Sequence, residues 1–227
     1  MLKVAGGPDE RDGAALMAWW GGDGAARVLA HDGDGLLMER ASGSRSLAAM
    51  SRDGHDFATT LILCRAAARL HVPRPAAAPA TLKPLDVWFQ ALGPAAARHG
   101  GLLVRSDAAA RALLAAPEGT TVLHGDLHHD NVLDFGSRGW LAIDPKGLIG
   151  ERAFDYANIF CNPWPVAAEP GRLRQRLALV SEAAGLDRSR LLQWILAYAG
   201  LSAAWTLDSD GDPSRALLIA EIAAAET

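Results

Sequence analysis

Cysteine is nearly absent: Cys64 and Cys161, 97 positions apart, are the only two in 227 residues. Without an apolar N-terminal run to mark a secreted chain, a disulfide framework is not expected, and a reducing compartment, the cytoplasm, is. No stretch approaches the roughly 20 apolar residues of a membrane span, and residues 1–8 are too short and polar for a signal peptide. Lysine and arginine form no block, and 22 basic against 26 acidic side chains leave a formal charge of −4. Neither a nucleic-acid track nor a membrane surface is therefore expected as partner. A cationic small molecule suits this balance better. Histidine stops at His129, so the last 98 residues hold no imidazole.

What is present is globular: 50% hydrophobic and 21% charged residues, enough chain for one large domain or two unequal lobes. Leu2-Lys3-Val4 reads as the tail of a strand that breaks at Gly6-Gly7-Pro8. A helix through residues 14–20 follows, with Asp9 or Asp12 as its cap and Gly21-Gly22 as its end. Two short apolar runs, 25–30 and 36–40, flank a turn-rich segment and read as a hairpin. From there helical spacing dominates, over 47–70 with polar breaks, then about 85–97 and 106–115 beyond a proline-rich connector. Short strands are expected at 121–123, 132–134 and 140–143, and alanine-rich helices at 173–184, 189–207 and 214–225. No internal repeat is visible.

The densest polar stretch is His124-Gly125-Asp126-Leu127-His128-His129-Asp130-Asn131, set between two apolar strands, and Asp144 follows the next strand. Phosphoryl transfer from Mg·ATP needs one carboxylate to accept the hydroxyl proton, and an amide oxygen with a second carboxylate to hold Mg²⁺. Asp126, Asn131 and Asp144 fill those roles in order. Because Mg²⁺ takes oxygen ligands and keeps several waters, two protein ligands and the nucleotide phosphates suffice.

Residues 124–131 together with Ile143-Asp144-Pro145 resemble the catalytic and metal motifs of the aminoglycoside phosphotransferase family. The run from Ile143-Asp144-Pro145-Lys146-Gly147 to Phe154-Asp155-Tyr156-Ala157-Asn158 is similar to the streptomycin 6-kinase and hydroxyurea phosphotransferase branch, where Asp-Pro-Lys replaces Asp-Phe-Gly. The resemblance implies an α+β, protein-kinase-like fold of two lobes: residues 1–41 as part of a nucleotide lobe and 42–227 as a helical lobe carrying the catalytic loop and acceptor site. It implies Lys3 as the ATP-phosphate lysine and residues 37–40 as the hinge, with Glu39 and Arg40 at the adenine. ATP and Mg²⁺ are the implied cofactors. The implied activity is phosphorylation of an aminoglycoside hydroxyl, the 6-hydroxyl of streptomycin by likeness to that branch, giving antibiotic resistance. Since the family carries strands and a phosphate-covering loop ahead of its lysine, the nucleotide lobe here reads as truncated. Asp12, with Glu10 nearby, stands where the family has a glutamate to pair with that lysine.

Other readings compete. A remnant of this fold would bind nucleotide or a small molecule with negligible turnover. A metal-dependent phosphohydrolase could use Asp126 with His128 or His129, but no later histidine completes a two-metal set. His124 is expected to prop the loop, Lys146 to pair with a nearby acid, and Asp155 to hold the catalytic loop by its backbone. Trp19, Trp20, Trp194 and Trp205 are expected in the core. Residues 208–212 are expected to be a polar interhelical turn, since the twelfth position of a calcium loop would fall on Ile219.

Overall fold

The computed structural model describes residues 1–226 apart from the side chains of Pro8 and Asp9. The N-terminal part is an antiparallel sheet of β1 (Leu2–Val4), β2 (Val28–Asp32) and β3 (Gly35–Met38), ordered β1-β3-β2. The expected hairpin joins β2 to β3, and Gly33 supplies the positive φ of 52° that a two-residue β turn requires. Between β1 and β2 runs α1 (Pro8–Trp20). Its start corrects the expected cap: Gly7, in extended backbone, is the N-cap with no side-chain bond, Pro8 fills the first turn, and Asp12 lies inside the helix. Whether Asp9 takes part falls outside the described side chains. Leu16, Met17 and Trp20 are buried at helical spacing.

The run 47–70 breaks as its polar residues imply. It is α2 (Leu47–Met50), a wide turn over Ser51–His55 in which Gly54 takes φ 89°, and α3 (Asp56–Leu70). The helix expected over 85–97 is instead two, α4 (Leu85–Trp88) and α5 (Leu92–His99), joined by a 3-10 turn at Phe89–Ala91. Pro94 accounts for the break, because it has no N–H to bond the carbonyl four residues earlier. α6 (Leu102–Ala115) starts four residues earlier than expected. α8 (Arg172–Ala184), α9 (Arg188–Asp208) and α10 (Ser214–Glu226) match the expected segments to within one residue at each end.

The core gathers around α9. Residues 194–201 of this helix are all buried, so it is apolar on every side, as a helix inside a core must be. Gly200 backs onto Ser106 of α6 at a separation that leaves no room for a Cβ. Phe89, Phe154, Trp194 and Tyr198 meet edge to face with ring centroids 5.7 to 6.1 Å apart.

The remaining strands are short and sit where the informative loop begins and ends. β4 (Lys83–Pro84), β8 (Leu148–Gly150) and β5 (Thr121–Leu123) form one sheet in that order, parallel between β4 and β8 and antiparallel between β8 and β5. β6 (Val132–Asp134) and β7 (Trp140–Ala142) form an antiparallel pair. Reciprocal 2.9 Å bonds of Ala142 with Ala26 and Gly24 tie the N-terminal part to β7. α7 (Ala153–Ala157) follows β8. Both cysteines are free, and burial pushes each thiol up to about 12. Among the described residues no helix is long and apolar enough to cross a membrane.

Candidate active site

Residues 124–131 run from β5 to β6 and therefore from one sheet to the other. Gly125 makes the entry turn possible: its φ is 83°, and a Cβ there would meet the Leu148 side chain at 2.7 Å. The turn is clamped by Asp155 of α7, whose buried carboxylate accepts the N–H groups of His124 at 2.9 Å and Gly125 at 2.7 Å. His71 Nε2 lies 2.8 Å from the same carboxylate. Burial pushes the Asp155 pKa upward, but His71 and the amide donors outweigh it and hold the group below the usual carboxylate range. Asp155 thus holds the loop by its backbone, as expected.

His124 is also a prop. Its ring stacks near Trp20, Nε2 lies 2.9 Å from the Ile143 carbonyl, and Nδ1 accepts the Asp126 N–H at 3.2 Å. Burial lowers its pKa and keeps the ring neutral. These two bonds select the tautomer with the proton on Nε2, donated to Ile143.

Asp126 is oriented from both sides. Asn158 Nδ2 donates to Oδ1 at 2.9 Å, and Asn131 Nδ2 donates to Oδ2 at 3.3 Å and to the Asp126 carbonyl at 2.8 Å. With its NH₂ turned to Asp126, Asn131 keeps its amide oxygen for a cation. Lys146 Nζ and His128 Nε2 lie 3.5 and 3.7 Å from the Asp126 carboxylate. Lys146 therefore has the acidic partner expected of it.

The Ile143 N–H bonds the Asn131 carbonyl at 2.9 Å, which places Asp144 beside the same loop. Asp144 takes a left-handed φ of 61°, unusual for a residue with a Cβ and a form of strain that recurs at functional sites. Its carboxylate accepts from Lys3 Nζ, 141 positions away on β1. Burial raises the Asp144 pKa, yet the Lys3 bond and the charge of Lys146 outweigh this and lower it.

The carboxylate near Lys3 is corrected. Glu10 lies 3.5 Å from Lys3 Nζ, while Asp12 pairs with Lys83 at 3.3 Å. At the end of β3, the Glu39 N–H bonds the Arg27 carbonyl at 2.9 Å, and its carboxylate accepts from the Arg27 N–H at 2.6 Å and from Arg138. Arg40 is exposed.

A cavity of about 480 Å³ opens against Asp126, lined by Trp88, Gly125, Lys146, Tyr198, Ser202 and Trp205. Trp205 thus corrects the core assignment: it meets Trp88 edge to face at 5.3 Å and faces the site. Trp20 and Trp194 are core residues, while Trp19 is partly exposed beneath Arg74. Asn158 went unassigned in the sequence, although its place three residues after Asp155 on a helical turn marks it.

The donor chemistry fits Mg²⁺: one carboxylate and one amide oxygen, with Lys3 now supplying the positive charge at Asp144. Among the described residues no group of three His, Cys, Asp or Glu comes together, so a metal would complete its shell with phosphate and water oxygens. For the same reason the phosphohydrolase reading lacks a ligand set. His129 is buried with neither ring nitrogen partnered, and burial pushes its pKa down to about 3.

A family model described as aminoglycoside/hydroxyurea antibiotic resistance kinase matches residues 1–211. A streptomycin 3''-kinase of Klebsiella pneumoniae is 56% identical over 211 residues, 90% of this chain and 79% of that protein. A streptomycin 6-kinase of Streptomyces griseus is 34% identical over 235 residues, covering 96% of this chain and 74% of that one. A hydroxyurea phosphotransferase of Kitasatospora aureofaciens is 33% identical over 231 residues, covering 95% and 65%. Among solved structures, a choline/ethanolamine kinase family protein from Mesorhizobium loti superposes with a TM-score of 0.71 at 16% identity, over 99% of this chain and 81% of that one. The macrolide 2'-phosphotransferase of Brachybacterium faecium does so with 0.55 at 17% identity, over 96% and 82%. The fold is therefore the two-lobe, kinase-like α+β fold.

Proposed function

Because the chain belongs to the aminoglycoside/hydroxyurea antibiotic resistance kinase family, we propose that it transfers the γ-phosphoryl group of ATP to a hydroxyl of a streptomycin-type aminoglycoside. The observation that carries this reading is the set around Asp126: a carboxylate fixed by two amides, open to a cavity, with Asn131 and the Lys3–Asp144 pair alongside. Asp126 orients the acceptor hydroxyl and takes its proton. Asn131 and Asp144 would hold Mg²⁺, which offsets charge on the β- and γ-phosphates when bound. Lys3, released from Asp144, pairs with phosphate oxygens. In this reading residues 1–41 serve the nucleotide, with the backbone near Glu39 and Arg40 facing adenine, and residues 42–227 serve the acceptor. The cytoplasm, where ATP is supplied, is the working compartment. The net charge of −4 favours approach of a polycationic acceptor.

The position modified is the finer question. Likeness to the 6-kinase branch points to the 6-hydroxyl, but the relative named for the 3''-position shares 56% of aligned residues against 34% for the one named for the 6-position. We favour the 3''-hydroxyl. The test is ADP formation with ATP, Mg²⁺ and a panel of streptomycin, other aminoglycosides and hydroxyurea, followed by phosphorus NMR of the product. A phosphate coupled to the 3''-proton is expected. ADP formation independent of every acceptor, or none at all, would overturn the proposal.

A further inference from the structure

Lys146 is the charged group whose place the mechanism above leaves unexplained. Its backbone N–H bonds the His124 carbonyl at 2.7 Å, so the side chain is rooted on the catalytic loop itself. Its ammonium lies 3.5 Å from Asp126 Oδ2 and lines the cavity with Trp88, Tyr198, Ser202 and Trp205. Orienting Asp126 is not what it serves. The Asn131 and Asn158 amides already fix that carboxylate from both sides. Nor does an ammonium help to seat a cationic acceptor, which it repels. The Lys146 charge already favours the carboxylates of Asp126 and Asp144, and it stands ready for a further anion that arrives between them, which in phosphoryl transfer is the group in flight.

We propose that Lys146 is a catalytic cation that leaves Asp126 and contacts the oxygens of the transferring phosphoryl group, on the side facing the acceptor cavity. The proposal rests on the phosphotransfer reading. In the step, the bond from the γ-phosphorus to the bridging oxygen of ADP breaks as the bond from the acceptor oxygen forms. The hydroxyl proton passes to Asp126, and ADP leaves with the electron pair of the broken bond. Lys146 forms no covalent bond; it stabilises charge on the equatorial oxygens, and it frees Asp126 of a competing partner at the moment the proton moves.

The test compares Lys146→Met and Lys146→Arg with the unaltered protein after equal melting temperatures establish folding. Lys146→Met is expected to lower kcat about 10²–10³-fold, the range for losing one preorganised transition-state partner, with KM for ATP and for acceptor each changed less than about threefold. Lys146→Arg, which keeps the charge, should recover most of the loss. The second readout is binding: calorimetry with ADP, Mg²⁺, aluminium fluoride and acceptor, a planar mimic of the group in flight. Lys146→Met should lose affinity for that mixture by a factor close to its loss in kcat while binding ADP alone normally. Unchanged turnover, or a loss confined to acceptor affinity with the mimic still bound tightly, overturns the inference. ADP formation by the unaltered protein separates the two readings. Its absence overturns phosphotransfer and this inference together, whereas its presence with an unaffected Lys146→Met overturns this inference alone.

Discussion

Asp126 hangs from a loop whose backbone is bonded to the buried carboxylate of Asp155, whereas Lys3 rides a three-residue strand whose neighbours Leu2 and Val4 are each 67% exposed. The first arrangement is built into the core: Asp155, Asn158 and the Phe154 and Trp194 rings beside them are all buried. The second depends on a short edge strand and on the ion pairs of Lys3 with Glu10 on α1 and with Asp144, 141 positions away. In the proposed reaction the Asp126 carboxylate is thus oriented before any ligand arrives, while the Lys3 side would take its working form only when a cation and phosphates part Lys3 from Asp144. Changes on the buried side should therefore alter stability as well as turnover. Changes on the strand side should alter ligand affinity and leave the fold intact.

The largest effect is expected from Asp126→Ala. Losing the base should lower kcat about 10²–10⁴-fold, with KM for ATP nearly unchanged and the melting temperature held by the intact clamp. Turnover close to that of the unaltered protein would remove Asp126 from the mechanism. Asp155→Ala comes next, because it leaves two backbone amides and His71 without their buried acceptor. A loss of about 1–3 kcal/mol in urea unfolding for each buried donor left unpaired is expected, together with lost turnover. A variant that stays fully stable would erase the contrast between the two sides.

Lys3→Met tests the other half. The pairs it breaks, with Asp144 and with Glu10, are roughly a third exposed at each end, so unfolding free energy should move by only about 1 kcal/mol. Losing one charge-assisted contact to phosphate should raise KM for ATP about 10-fold or more. If Lys3→Met instead lowered the unfolding free energy by several kcal/mol while the folded protein kept ordinary ATP affinity, the ion pairs would be structural and the lysine no phosphate ligand.

How much of this was legible in the sequence depended on distance along the chain. The long helices could be read because many turns repeat the apolar spacing, and α8, α9 and α10 follow that reading closely. The loop from His124 to Asn131 could be read because its polar residues are contiguous. β4 and β8 could not, since two or three residues carry no period. The contact of His71 with Asp155 joins residues 84 apart, and nothing local announces it. Whether Glu10 or Asp12 meets Lys3 depends on the rotation of α1, because residues two apart on a helix face different ways. Trp205 sits on a largely buried helix, and only the packing of α4 against it shows that its ring borders a cavity.

Acid titration sharpens the comparison with the smallest effects. On the buried side, Glu151 accepts from Arg190, from the Glu118 N–H and from Trp194 Nε1. Burial raises its pKa, but these donors outweigh it and the folded value lies below the usual range. A carboxylate depressed on folding contributes stability that is present above its unfolded pKa, roughly 4.3 for Glu, and is lost as pH falls through the folded value. Glu151→Gln should therefore be less stable than the unaltered protein at pH 7, and the gap should close progressively below about pH 4. On the strand side, Asp34 is also depressed, first by the Arg11 hydrogen bond and then by its charge, but the pair stands in solvent and salt screens it. Asp34→Asn should leave the acid limb of the unfolding curve where it was, at any ionic strength. An acid limb that flattens in Asp34→Asn and persists in Glu151→Gln would reverse the assignment of which side of the molecule holds the fold together.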